Sequence, residues 1–182
     1  SRFKSVHFMQ KKSEAIKQVR KFVARLNRLA STRTGKPVRI VGHLHVDNAG
    51  EFLSHEFKEF LDSELIDQTT CPAYVHDLNG VAERSIRSIV ENMRSHMAAA
   101  NMPISFWPHA ARHACDILNR TTGPPGSSKT AHRIVTGEKP KILDIWPIGC
   151  RAFAIKPRAK ISKTSIDHHA WAGINLGKAP SI

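Results

Sequence analysis

Two carboxylates are the chain's best candidates for chemistry. Asp47 ends a run that alternates as a strand through Val38, Ile40, Leu44 and Val46, and Glu83 falls in the first turn of a long predicted helix. Between them lie 35 residues, enough for a helix, a short strand and a loop that return the chain to one sheet edge. Open α/β sheets present ligand sites at the C-terminal ends of their strands. Carboxylates meeting there suit Mg²⁺ or Mn²⁺, which take hard oxygen donors and keep positions open for phosphate. Each also has a structural alternative. Asp47 can cap the turn at Asn48, and Glu83 can sit at the positive end of its helix dipole.

Arginines accompany the second carboxylate. At 100° per residue, Glu83, Arg84, Arg87, Glu91 and Arg94 share about one third of the helix circumference. Arg84, Arg87 and Arg94 are therefore candidates for contacts with a nucleic-acid backbone beside a metal. The alternative is a solvated face with a Glu83–Arg87 pair at i,i+4 spacing. A weaker candidate surface is the basic face of residues 14–30, with Lys17, Arg20 and Lys21. His43 and His45 share one strand face and His168 adjoins His169, but neither pair has a metal-site partner set. Both read as surface or hydrogen-bonded residues.

The elements that must carry these groups follow from periodicity. Residues 3–9 have strand character. Ser13 is a plausible N-cap for a helix with Ile16, Val19, Val23, Leu26 and Ala30 on one stripe, ended by Gly35 and Pro37. A second helix starts near Ser54 and buries Phe57, Phe60, Leu61 and Leu65; Ile66–Thr70 is a short strand. Cys71–Gly80 is a loop marked by Pro72 and Asn79-Gly80. The helix over 81–100 has its stripe at Ile86, Ile89, Val90, Met93 and Met97. Pro103 breaks it before another helix over 106–118. A Gly/Pro/Ser-rich link at 121–129 then opens a basic tail. Strands alternating with helices predict an α/β fold with helices packed on a sheet.

The chain has 182 residues, 28 Lys plus Arg against 15 Asp plus Glu, and a net charge of +13. Its length supports a core, and 41% hydrophobic content argues against disorder. There is no apolar run of membrane-spanning length. Three separated cysteines, Cys71, Cys115 and Cys150, point away from a disulfide framework and towards an intracellular setting. Residues 1–40 hold 12 basic and 1 acidic residue, whereas residues 41–80 hold 1 basic and 8 acidic. Carboxylates suited to cations thus lie between surfaces suited to a polyanion.

HVDNAGEF at 45–52 and LNGVAERSIRSI at 78–89 resemble the integrase catalytic core of copia-type LTR retrotransposons, a branch of the DDE polynucleotidyl transferases. The likeness continues through FWPHAARHACDILNRT at 106–121, TGEKP at 136–140 and GCRAF at 149–153, with SRFKSVHFMQKKSEA fitting the segment after the first catalytic strand. It covers nearly the whole chain. The resemblance implies an RNase H-like mixed sheet flanked by helices, with the first strand missing. It divides the chain into a core over 1–120 and a basic C-terminal extension over 121–182. Asp47 and Glu83 take the family's second aspartate and its glutamate, ligands of two Mg²⁺ or Mn²⁺ ions. Asn79 and Gly80 shape the loop at the active-site rim.

The family's first aspartate is expected before Ser1, which would leave each metal site one ligand short and the fragment inactive or nearly so. The loop PAYVHDLNG departs from the family's polar version, Thr130-Ala131 replaces a Thr-Pro, and no CxxC pair offers a zinc module. The function implied is insertion of element DNA into host DNA, in the nucleus, by a self-associating enzyme. The alternative is a domesticated protein that binds DNA or RNA, or serves structurally, without the chemistry.

Overall fold

The computed structural model describes residues 1–70, 80–157 and 169–178. Its elements are α1 (Ala15–Thr34), β1 (His43–Val46), α2 (His55–Glu64), β2 (Asp67–Thr70), α3 (Gly80–Ala99), α4 (Trp107–Thr121), α5 (Ala131–Thr136), β3 (Arg151–Ile155) and β4 (Ala170–Ile174). Among the described residues the strands form two pairs: β1 and β2 parallel, β3 and β4 antiparallel.

The first core forms where α1 and α2 cover the inner face of β1–β2. Ile16, Val23, Phe57, Phe60, Leu61 and Ile66 are buried together, with Val19, Val41, Leu44 and Phe52 against them. These are the helical stripes expected from spacing. Ser54 caps α2 by accepting the Phe57 N–H at 3.3 Å. Gly35 closes α1 in the left-handed region at φ 68°, donating to the Ser31 carbonyl. Alternation along β1 and β2 leaves Leu44, Val46, Gln68 and Thr70 half-buried and turns His43, His45, Asp67 and Thr69 to solvent.

A second core joins α3 and α4 to the tail through Met97, Ala110 and Ile148, with Met93 and Met102 beside them. The tail is fastened at several points. Arg33 donates to the Ile134 carbonyl at 3.2 Å and Arg120 to the Lys141 carbonyl at 3.1 Å. Asn175 Nδ2 donates to the carbonyls of Trp146 and Pro147 at 3.1 and 2.9 Å.

Several expectations need correction. Residues 3–9 form no strand; their backbone is held instead by a side chain, with Asn119 accepting the Lys4 N–H and donating to the Lys4 carbonyl, both at 2.7 Å. Ser13 is not the cap of α1, because a 3₁₀ turn over Lys12–Glu14 leads into the helix. The first strand is four residues long, since only 43–46 have a ladder partner in β2. Leu65 is 77% exposed, turned out by its left-handed backbone at φ 56° where α2 ends. Ile86 is 62% exposed, because α3 meets the second core through Met93 and Met97 farther along.

Candidate active site and nucleic-acid interface

Asp47 directly follows β1 and is exposed. Its Oδ1 accepts the Ala49 N–H at a long 3.4 Å, so the turn-capping role is present but weak, and among the described residues Asp47 enters no ion pair. Glu83 is exposed in the first turn of α3. Among the described residues it forms no ion pair, so the Glu83–Arg87 pair is absent. Gly80 begins α3; Asn79 and the rest of the 71–79 loop lie outside the described residues, as does His168.

The donor chemistry suits a hard divalent ion. Two exposed carboxylates are a usual protein share of a Mg²⁺ shell, with water and phosphate filling the remainder. Among the described residues no three His, Cys, Asp or Glu side chains converge on a metal position.

Arg84, Arg87 and Arg94 are exposed on α3 and, among the described residues, none enters a salt bridge. Their guanidinium groups are available to phosphate oxygens. On α1, Lys17 and Lys21 are exposed, but Arg20 is engaged with α2. It pairs with Glu56 at 3.4 Å and lies 5.1 Å from the centre of the Phe60 ring. A role in holding α1 to α2 therefore competes with the nucleic-acid role expected of it.

Other polar groups escaped sequence reasoning. Asn119 and Arg120 are buried at the end of α4. Arg120 makes a two-pronged bond to Asp116, Nε–Oδ1 at 3.0 Å and Nη2–Oδ2 at 2.9 Å. On the same helix His113 is buried edge-on to His96, ring centres 5.4 Å apart. Burial pushes its pKa below the ordinary 6.5, and the charge on His96 adds to this against Asp116. Burial likewise raises the Cys115 thiol to about 11. The i,i+4 spacing of Asp116 and Arg120 was the available signal; nothing in the spacing of Asn119 foretold a partner at Lys4.

No protein-family model matches the chain. It is similar to the retrovirus-related Pol polyprotein from transposon TNT 1-94 of Nicotiana tabacum, at 33% identity over 94% of this chain and 12% of that protein. It therefore spans about one eighth of that relative. Among solved structures, the simian T-cell lymphotropic virus intasome in complex with PP2A regulatory subunit B56 gamma is similar at TM-score 0.55 and 20% identity, covering 94% of this chain and 56% of that one. The catalytic core domain of BIV integrase is similar at TM-score 0.51 and 20% identity, over 73% and 76%. These likenesses establish an RNase H-like fold of the integrase-core kind. Among the described residues no helix is long and apolar enough to cross a membrane.

Proposed function

We propose that the chain, similar in sequence to the Pol polyproteins of copia-type LTR retrotransposons, is an integrase core and part of an enzyme inserting element DNA into host DNA. The reaction is a metal-dependent phosphodiester exchange. The observation that carries this reading is the pair of exposed carboxylates that enter no ion pair among the described residues, Asp47 just past a parallel strand and Glu83 opening α3. Asp47 and Glu83 hold the metal. Bound Mg²⁺ or Mn²⁺ supplies activation of the attacking hydroxyl and charge stabilisation at the leaving oxygen. Gly80, with Asn79 before it, shapes the rim. Arg84, Arg87 and Arg94 position the DNA backbone, and Lys17 and Lys21 extend the basic surface. Self-association and a nuclear site of action belong to the same proposal.

The test is DNA joining by an integrase that contains this segment. In Mg²⁺ it should join DNA ends, and Glu83→Gln or Asp47→Asn should abolish joining while DNA binding persists. Joining undiminished by Glu83→Gln would overturn the assignment. Binding of DNA or RNA with no joining in the unsubstituted protein would favour a binding module over an enzyme.

A further inference from the structure

The exposed face of the β1–β2 pair holds a cluster that phosphodiester chemistry does not use. His43 and His45 are two residues apart on a strand, so both rings project to one side. The parallel register sets Asp67 beside His43 and Thr69 beside His45 on that side. The rings converge. His43 Nε2 lies 2.9 Å from Thr69 Oγ1, and His45 Nδ1 lies 2.8 Å from the same oxygen. One hydroxyl has one proton, so it can donate to only one ring and must accept from the other. Two ring nitrogens from one strand thus already point at a single position near solvent.

We propose that His43 and His45 form a chelating site for a borderline divalent transition-metal ion of the Zn²⁺, Ni²⁺ or Cu²⁺ class. Each ring turns a lone pair to the ion, His43 through Nε2 and His45 through Nδ1, and carries its proton on the other nitrogen. The Thr69 hydroxyl rotates aside, and water completes the shell. Imidazole selects these ions over Mg²⁺, which keeps the site chemically distinct from the Asp47–Glu83 carboxylates. Charge favours it as well. Asp67 shares the exposed ladder face and Asp47 follows His45 by two residues, in a segment, 41–80, with 8 acidic residues and 1 basic. Among the described residues no third metal-ligating side chain joins the pair, and these residues supply a two-imidazole chelate on an exposed strand face.

Titration of the chain with NiCl₂ or ZnCl₂ in excess Mg²⁺, followed by calorimetry and by Ni²⁺ broadening of imidazole NMR signals, tests this. One site should saturate, with His43 and His45 broadened first. His43→Gln or His45→Gln reduces the chelate to a single imidazole and should weaken binding about tenfold or more. Thr69→Val should keep it and Asp47→Asn should weaken it far less than either imidazole substitution, since neither removes a ligand, and His55→Gln serves as an exposed-imidazole control. The proposal is overturned if the two substitutions leave the affinity unchanged, or if the unsubstituted chain takes up no ion on this face. Loss of joining with Asp47→Asn alongside retained Ni²⁺ binding would separate this site from the catalytic one.

Discussion

Asn119 serves residues 3–9 in place of a ladder partner with one side chain. Its amide meets both backbone groups of Lys4 while buried on α4, which is why residues 3–9 can lie against the fold without a ladder. Asn119→Ala should cost about 1–3 kcal/mol, since two backbone groups lose their partners. Denaturant unfolding would measure this, and proteolysis within residues 1–9 should quicken. His113 sets a second expectation. Its folded pKa lies below the unfolded 6.5 because of burial and then His96, so the unfolded state takes up the proton first. Stability is therefore complete above about pH 6.5 and falls as pH drops through the folded pKa. His7, lowered mainly by its own burial, acts in the same direction. Thermal melts between pH 7.5 and 5 should show the decline, and His113→Gln should flatten it in part. A pH-independent melting temperature would contradict both assignments.

At the scale of elements, α2 and α3 use amphipathicity differently. The α2 stripe is consumed by the first core, where Phe57 is fully buried, so Phe57→Ala should cost about 3–5 kcal/mol. Removing the cap with Ser54→Ala should cost about 1 kcal/mol. The two substitutions act on one element, so equal costs in a denaturation series would refute this ranking. The α3 stripe is consumed only towards its C-terminal end, leaving Ile86 at 62% exposure and the arginine face open. If that face meets DNA, affinity should fall steeply with salt. Each of Arg84→Gln, Arg87→Gln and Arg94→Gln should lower the slope of log K against log salt by about one. Arg20→Gln should loosen α1 from α2 instead, a difference that stability and binding measurements resolve together.

At the scale of the molecule, the tail from residue 121 is fastened to the helices rather than trailing from them. Gly149 marks one tight point: its φ is +79°, and a Cβ there would lie 2.6 Å from the Ala100 Cβ. Gly149→Ala should therefore destabilise by about 1–3 kcal/mol and speed alkylation of half-buried Cys150, measured by denaturation and mass spectrometry. The sequence alone determined the helices over α1–α4, the buried Phe57, Phe60 and Leu61 of α2, a short strand ending at Thr70, the family resemblance and the carboxylate candidates. Each depends on local period, capping chemistry or a motif of fixed spacing. Only tertiary structure decided that 3–9 is not a strand, that Leu65 and Ile86 stay exposed, that Arg20 is drawn to Phe60 and Glu56, and that His43 and His45 meet at Thr69. Such outcomes depend on which distant surfaces arrive beside a residue, and periodicity within one segment contains no record of that.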